Sequence, residues 1–291
     1  MQDTRDFFPF SKKWFFLFIL VMFAAGCSAA GDDIPDLRLY DLAGGKEVTL
    51  SETLPDLSKK RIVLVGEFHS RMVHHENQLR IIRAVFESGV PVAIGFEMFR
   101  SDSQPALDRW VSGEMDIGEF RKVYDDNWNF PWDLYSPIFE YARKNQVPMI
   151  GLNVSRDITR QVARMGFKSL SGEQKGKLQD VSCRVDKEYM DFIRKAFGAH
   201  AHGGLNFTNF CEAQLVWDNV MAISALEFLK ERPGWTMVMI TGSGHARKKG
   251  VPEQIRKRSN LSLTVLLPEV PGAIDLKTTT EVDADFIMMH R

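Results

Sequence analysis

The sequence predicts an α/β fold, with a mainly parallel sheet flanked by helices and a helical lobe over the carboxyl ends of the strands. Apolar, β-branched runs of strand length alternate along the chain with segments of helical periodicity, an order typical of βαβ units. Residues from about 171 to 232 are mostly helical in pattern, which is more helix than one crossover needs. We therefore place the lobe within about residues 170–232.

The predicted strands are short apolar runs that end in a turn or in polar residues. The first of them, Ile62-Val63-Leu64-Val65, is entirely aliphatic and is followed at once by a glycine. In chain order, the predicted strands cover residues 62–65, 92–94, 147–152, 237–240 and 261–267, with an edge strand over 284–289.

Helices are predicted between the strands from the spacing of apolar residues and from capping residues. Apolar residues recur at helical spacing over 79–86, and Gly89 ends that helix. A second helix over 137–145 precedes the third strand. Ser155 is a suitable N-cap for the next helix, which runs to Met165.

The N-terminus has the pattern of an export signal. Basic residues precede an apolar run over 14–25, and a run of about twelve residues fits a secretory signal but is too short to span a bilayer. The segment Ala24-Ala25-Gly26-Cys27 resembles a bacterial lipobox, which predicts lipidation of Cys27. Ser28 after the cysteine favours the outer membrane of a Gram-negative cell. The alternative is an ordinary signal peptide with a chance cysteine.

These patterns divide the chain into three parts. We predict a lipoprotein signal peptide over 1–26, a lipidated tether over 27–36 and one α/β domain with its lobe over 37–291. The formal net charge is −1, so charge offers no argument for binding nucleic acid. The two other cysteines, Cys183 and Cys211, are equally compatible with a disulfide and with two thiols, and neither has a zinc-finger spacing.

Three polar motifs directly follow three of the predicted strands. They are Gly66-Glu67-Phe68-His69, Phe96-Glu97-Met98 and Gly242-Ser243-Gly244-His245. Because the carboxyl ends of parallel strands meet at one edge of a sheet, we expect Glu67, His69, Glu97 and His245 to share a pocket. This set suits a divalent metal such as zinc, manganese, cobalt or iron, or general acid–base catalysis. The plainer alternative is that the side chains only satisfy hydrogen bonds of their loops.

An aromatic segment over 128–135 is a second candidate. It lacks periodicity and follows three polar residues, so we predict a loop beside the cleft that suits a flat aromatic ligand. Tyr135 is the most notable member, because a phenolate favours ferric iron and tyrosine is a known axial ligand of haem iron.

Other polar residues carry weaker signals. His74, His75 and Glu76 open a helix and are predicted to be solvated rather than ligands. His200 and His202 lie in a glycine-rich break, where a surface loop is the favoured interpretation and a pocket-lining role the alternative. Three further polar residues face similar directions on a predicted helix and either line the pocket or form a polar helix face. They are Gln214, Asp218 and Asn219.

The motifs together resemble a known family. In matching order the chain has Gly66-Glu67-Phe68-His69, Gly95-Phe96-Glu97-Met98, Trp132-Asp133-Leu134-Tyr135-Ser136-Pro137-Ile138, Gly151-Leu152-Asn153, Ala213-Gln214-Leu215-Val216-Trp217-Asp218 and Gly242-Ser243-Gly244-His245. This set resembles the ChaN-like haem-binding lipoproteins, which belong to a superfamily with the Tiki and TraB proteins and the erythromycin esterases. The resemblance covers nearly the whole chain after the export signal.

The resemblance implies specific roles for several residues. His69 and His245, with Glu67 and Glu97, correspond to the metal or general-base site proposed for the hydrolytic relatives. The haem-binding branch implies a tyrosine ligand, with haems held where two protomers meet. Tyr135 is the expected ligand here, and the other candidates are Tyr124, Tyr141 and Tyr189.

Two functions from different classes follow. The first is an exported lipoprotein that binds ferric haem in haem or iron acquisition, with a homodimer, an outer-membrane haem receptor and the membrane as expected partners. The alternative is a divalent-metal-dependent hydrolase acting on an ester, a lactone or a peptide. A third possibility, a surface interaction protein, is disfavoured by the acidic and histidine residues at the strand ends.

Overall fold

The computed structural model describes residues 36–178, 181, 183–197 and 206–290. The predicted signal peptide, Cys27, nearly all of the tether, His200 and His202 lie outside these residues, so they stay predictions. The described chain is organised around an eight-stranded sheet of order β2-β1-β8-β7-β3-β6-β4-β5. The strands are β1 (Arg38–Asp41), β2 (Lys46–Thr49), β3 (Ile62–Glu67), β4 (Val92–Arg100), β5 (Met149–Asn153), β6 (Thr236–Gly242), β7 (Leu263–Pro268) and β8 (Phe286–Met288).

Helices connect the strands and cover the sheet. They are α1 (Leu50–Leu57), α2 (Met72–Glu87), α3 (Gln104–Ser112), α4 (Ile117–Asn127), α5 (Trp132–Lys144), α6 (Arg156–Met165), α7 (Gly172–Gly176), α8 (Lys187–Phe197), α9 (Phe207–Lys230), α10 (Ser243–Ala246) and α11 (Val251–Arg256). Two short 3-10 turns cover Ser101–Ser103 and Phe167–Ser169. Ser155 caps α6 as predicted, since its side chain accepts a hydrogen bond from the backbone N–H of Asp157.

Both faces of the sheet are buried, which explains the uninterrupted apolar runs in its strands. Along β3, Val63 and Val65 point into a core with α1 to α5, whereas Ile62 and Leu64 point into a core with α9 and α11. All four of these side chains are fully buried. The α/β class and the mainly parallel sheet are therefore as the sequence predicts.

The three strands that carry the polar motifs are neighbours in the sheet. β6 pairs in parallel with β3 on one side and with β4 on the other. Glu67 at the end of β3 lies opposite Gly242 at the end of β6. The motifs therefore meet at one edge, as the strand-end argument predicts.

The prediction of an edge strand over 284–289 is wrong. The segment predicted as an edge strand forms β8, which lies inside the sheet, parallel to β7 and antiparallel to β1. The hairpin of β1 and β2 extends the sheet beyond it and was not predicted. A three-residue strand carries too little pattern to reveal whether it has one neighbour or two.

The aromatic segment is only partly a loop. Residues 128–131 are irregular, but α5 begins at Trp132, so Tyr135 lies in a helix and not in the predicted loop. The buried side chains of α5 recur at helical spacing from Trp132 through Tyr135 and Phe139 to Ala142. The irregular segment before the helix, with two aromatic residues and a proline among its four positions, hides this periodicity in the sequence.

The helical material over 170–232 is divided between two roles. The C-terminal half of α9 packs on the sheet through Met221, Ala222 and Ala225. Its N-terminal half packs with α8 through Cys211 and Leu215, and this part reaches the carboxyl edge of the strands. No described helix combines the length and the apolar character that crossing a bilayer requires. Cys183 and Cys211 are free thiols in the described structure, so they are not paired with each other.

Candidate functional site

A cavity of about 800 Å³ opens at the carboxyl edge of β3, β4 and β6. All four predicted strand-end residues line it. Aromatic side chains form much of the remaining wall, while a lysine and an arginine add positive charge. The lining includes Glu67, Phe68, His69, Glu97, Trp128, Phe130, Lys195, Phe210, Gln214, Trp217, Gly242, His245 and Arg247.

Glu67 is the centre of a buried hydrogen-bonded group. Its Oε1 accepts a hydrogen bond from the Tyr135 hydroxyl at 2.6 Å and lies 2.6 Å from His69 Nδ1. Its Oε2 lies 2.9 Å from His75 Nδ1, although this contact is poorly aligned for a hydrogen bond. His75 Nε2 also contacts the backbone oxygen of His69 at 3.1 Å, which ties the start of α2 to the loop after β3.

These contacts control the ionisation of the group. Burial raises the pKa of the Glu67 carboxyl, but His69 and His75 outweigh burial and hold that pKa well below its usual range. Burial lowers the pKa of His69, yet its hydrogen bond to Glu67 and the charge of Glu97 raise the pKa above the ordinary value. Burial and the neighbouring Glu67 raise the pKa of the Tyr135 phenol far above its usual value. Tyr135 is therefore a neutral hydrogen-bond donor.

His245 belongs to a second buried group on the same cavity. Its Nδ1 lies 2.7 Å from Asp218 Oδ1, and the Tyr189 hydroxyl donates to Asp218 Oδ2 at 2.6 Å. His245 Nε2 lies 3.9 Å from Glu97 Oε1. Burial lowers the pKa of His245, but Glu97 and Asp218 together raise it above its ordinary value. Glu97 is itself held by the backbone N–H of Gly242, which donates to Oε2 at 2.6 Å.

The two groups have the same design. In each, a buried carboxylate accepts a hydrogen bond from a tyrosine and contacts the Nδ1 of a histidine that lines the cavity. The sets are Tyr135–Glu67–His69 and Tyr189–Asp218–His245. A carboxylate on Nδ1 fixes the orientation of an imidazole and makes its Nε2 more basic. The site therefore holds two oriented imidazoles beside a third carboxylate, Glu97.

Sequence reasoning missed several members of these groups. His74 and His75 are buried and not solvated as predicted, because α2 packs this turn under the loop after β3; only Glu76 is exposed. Asp218 was one of three helix-face candidates, and its separation of four residues from Gln214 was the available signal. Tyr189 was a candidate only as an alternative haem ligand, because its hydrogen bond to Asp218 depends on how α8 packs on α9.

Tyr135 does not form part of the cavity wall. Its ring is fully buried against Phe139 and His75, and its hydroxyl points to Glu67. The role of Tyr135 as a haem ligand stays a prediction, and it would require α5 to open at this turn. His69 is the better placed ligand, because its ring lines the cavity and contacts both Trp128 and Phe130 there.

The predicted metal ligands converge, but as hydrogen-bonded pairs. Among the residues described, no group of three or more His, Cys, Asp or Glu side chains is arranged to hold a metal ion. His69 and His245 each direct Nδ1 at a carboxylate of their own pair. A carboxylate on Nδ1 is typical both of acid–base histidines and of histidines that ligate a metal through Nε2.

Gly242 shapes the floor between the two groups. A Cβ atom at this position would lie 3.1 Å from both Cε1 and Nε2 of His69 and 3.6 Å from Glu97 Oε2. Glycine therefore leaves room for the His69 imidazole beside the end of β6. The Nε2 edge of His69 consequently faces this glycine and Glu97.

Comparison with known proteins identifies the family. A family model described as haem-binding uptake, Tiki superfamily, ChaN matches residues 53–255. The solved structure of ChaN of Campylobacter jejuni, described as showing cofacial heme binding, has a TM-score of 0.67 and 20% identity, and the match covers 87% of this chain and 96% of that one. At this identity the match demonstrates the fold.

Two further proteins are similar to parts of the chain. The chloroplastic protein RETICULATA-RELATED 5 of Arabidopsis thaliana is 25% identical over an alignment of 264 residues, and the match covers 79% of this chain and 35% of that protein. The chain thus spans about a third of the length of this curated relative. A mutant of erythromycin esterase EreC in its open conformation is 12% identical, with a TM-score of 0.49 and coverage of 81% and 77%. That score is too low to support a functional argument. On the family match, the chain belongs to the ChaN haem-binding uptake family of the Tiki superfamily.

Proposed function

We propose that the chain binds ferric haem in the cavity at the carboxyl edge of β3, β4 and β6, as part of haem or iron acquisition. The observation that carries the proposal is the His69 imidazole. It lines an aromatic cavity with Nδ1 on a buried carboxylate, and its Nε2 edge faces the cavity end of β6. The family match and the heme binding of Campylobacter jejuni ChaN support the same ligand.

The surroundings of His69 suit an iron ligand. Metal-ligating histidines commonly donate their other ring N–H to a carboxylate, and histidine is a common axial ligand of haem iron. Glu67 would play that part here, and Tyr135 and His75 hold it in place. Trp128 and Phe130, which contact each other as well as the His69 ring, offer apolar surface for a flat macrocycle.

A hemin titration of the full chain in detergent tests this proposal. We expect saturable Soret changes for the wild type, loss of the axial-ligand signature in His69→Ala, and retained binding in Tyr135→Phe. Tyr141→Phe on the same helix, outside the cavity, is the matched control. If only Tyr135→Phe lost binding, the result would support Tyr135 and not His69 as the axial ligand. No saturable binding by the wild type would contradict the haem proposal altogether.

The cellular context is also part of the proposal. The lipobox-like segment supports lipidation of Cys27 and anchoring in the cell envelope, on the outer membrane of a Gram-negative cell. A homodimer and an outer-membrane haem receptor are the partners that this role implies. Cys27→Ser should abolish incorporation of labelled palmitate and release the chain from the membrane fraction. Retention of label would contradict the lipidation site.

The paired histidines favour a second candidate, a hydrolase. In that reaction His245, oriented by Asp218, removes a proton from water as the water oxygen attacks an ester, lactone or peptide carbonyl. Protonated His69, oriented by Glu67, donates a proton to the leaving group as the bond to the carbonyl carbon breaks. A divalent metal, predicted from the sequence, is the alternative means of activating the water, and ligation through Nε2 would keep these pairs intact.

An activity screen tests this candidate. Its substrates are aryl esters, lactones and peptides, and each is assayed with and without a chelator and with and without added Mn²⁺, Co²⁺, Zn²⁺ or Fe²⁺. We expect a chelator-resistant activity that falls about 10²-fold or more in His245→Ala, the usual size of an acid–base effect. A rate that depends on added metal would instead support the metal-dependent mechanism. Equal rates in wild type and variant would contradict the hydrolase.

A further inference from the structure

Two cations on the cavity wall share a single carboxylate. Asp283 accepts hydrogen bonds from Arg247 Nη1 at 2.9 Å and from Lys195 Nζ at 3.2 Å. Arg247 is almost fully buried, while the Lys195 side chain is 53% exposed. Both cations line the cavity, whereas Asp283 is not part of its lining. Among the described residues, this group therefore has two positive charges and one negative charge, which leaves a net charge of +1.

A buried amide on the same cavity lacks a partner. Gln214 is 4% exposed, and neither its Oε1 nor its Nε2 makes a hydrogen bond within the described residues. It projects from α9 between Phe210 and Trp217, which also line the cavity. Buried polar groups are nearly always hydrogen-bonded, so an unpaired amide at a cavity wall is suited to a polar group of the ligand.

The carboxylates of the cavity are already engaged elsewhere. Glu67 is held by Tyr135 and His69, and Glu97 by the backbone of Gly242. Neither carboxylate offers a hydrogen-bond donor to an anionic part of a ligand. A carboxylate would consequently be directed to the cationic part of the wall.

We propose that the cavity has a carboxylate-recognition subsite, in which Lys195 and Arg247 supply the charge and the Gln214 amide supplies a neutral donor. The inference rests on the proposed function, since it concerns the same cavity. It specifies the ligand as an aromatic or macrocyclic body that carries a carboxylate. For haem, this carboxylate is a propionate.

The test compares acids with their methyl esters, which remove the charge but keep the aromatic body. The full chain is titrated with hemin, with hemin dimethyl ester, and with two haem-independent probes, anthracene-2-carboxylate and its methyl ester. Lys195→Gln is the main variant because Lys195 is exposed enough to tolerate replacement. Lys187→Gln, on the same helix but 92% exposed and away from the cavity, is the matched control.

We expect Lys195→Gln to weaken binding of the acids about fivefold, the size of a partly exposed charge contact, and to leave the esters unchanged. Gln214→Leu should weaken the acids about tenfold. Three results would overturn the subsite. The wild type could bind acid and ester with equal affinity, Lys195→Gln could bind the acids as well as Lys187→Gln does, or neither acid could bind at all. Charge-dependent binding of the anthracene probe without hemin binding would retain the subsite and reject haem as the ligand.

Discussion

Histidines in this chain have roles that their neighbours define. His69 and His245 line the cavity, each with Nδ1 on its own buried carboxylate, whereas His75 lies beneath the same loop and contacts both Glu67 and the backbone of His69. His74, next to it, accepts a hydrogen bond from the backbone N–H of Phe68 at 2.8 Å. The same side chain thus serves as a candidate reactive group at two positions and as support at two others.

His74 should make the protein sensitive to acid. Its ring stacks on His290, and burial with that neighbour lowers its pKa from 6.5 to about 4. Between these values the unfolded chain binds more protons than the folded chain, so the free energy of unfolding falls as pH decreases from 6.5 to 4. We expect the contribution of His74 to be about 2 kcal/mol. Urea unfolding across this pH range measures it.

His74→Asn is the informative variant, because an amide oxygen can accept the Phe68 N–H without titrating. Its stability should depend less on pH between 6.5 and 4 than that of the wild type. Parallel stability profiles for the two proteins would show that His74 does not titrate differently on folding.

Gly242 offers a test of the cavity geometry. Its φ of −55° and ψ of 143° are open to alanine, so Gly242→Ala should fold. The added Cβ would lie 3.1 Å from the His69 imidazole and force the ring to move. We expect hemin affinity to fall about tenfold, a typical cost for a displaced ligand contact. Gly176→Ala, where a Cβ meets nothing within 4 Å, is the control and should bind normally.

At the scale of elements, the position of each motif follows from strand pairing. β6 lies between β3 and β4 although it comes after both in sequence, so the last motif is placed between the first two. β4 and β5 are paired with a register shift between Phe96 and Arg100, beyond which Arg100 lies opposite Asn153. This irregularity lies next to Glu97, whose backbone oxygen accepts a hydrogen bond from the Asn153 side chain at 2.9 Å.

Gly151 makes this pairing possible. A Cβ at Gly151 would overlap the carbonyl of Arg100, with the carbonyl carbon at 2.9 Å. Because these are backbone atoms, the strands would have to separate, and we expect Gly151→Ala to lower the free energy of unfolding by about 1–3 kcal/mol. Urea denaturation measures the loss. Gly172→Ala, in open space, should change it by less than about 0.5 kcal/mol, and equal effects would contradict the steric account.

At the scale of the whole molecule, β8 joins the N-terminal hairpin to the parallel sheet. It pairs with β1 on one side and β7 on the other, and both Ile287 and Met288 are fully buried. β8 therefore connects the β1–β2 hairpin to the parallel strands of the sheet. The site strands lie on the far side of β7 from this junction.

Ile287→Ala should consequently destabilise the protein as a core substitution does. We expect a loss of about 2–4 kcal/mol in the free energy of unfolding, measured by urea denaturation. Val282→Ala, with a 70% exposed side chain close by in sequence, should cost less than about 0.5 kcal/mol. A similar small loss for Ile287→Ala would mean that β8 is a dispensable edge.

The amino-acid sequence alone was enough to predict the α/β class, six of the eight described strands and the meeting of Glu67, His69, Glu97 and His245. Those conclusions depend on local apolar patterns and on a general rule, that parallel strands bring their carboxyl ends to one edge. The sequence also predicted the family, which the family match confirms over residues 53–255. The export signal and the lipidation of Cys27 are predictions from sequence alone.

The pairing of side chains, in contrast, became visible only in the folded chain. Asp218 and Tyr189 lie on different helices, and His245 contacts Asp218 at a separation of 27 positions in sequence. Tyr135 looked like an exposed ligand in sequence but is a buried donor to Glu67, 68 positions away. Such contacts depend on how helices pack on the sheet, which leaves no period or motif in the chain. The interior position of β8 has the same cause, since strand order is a property of the assembled sheet.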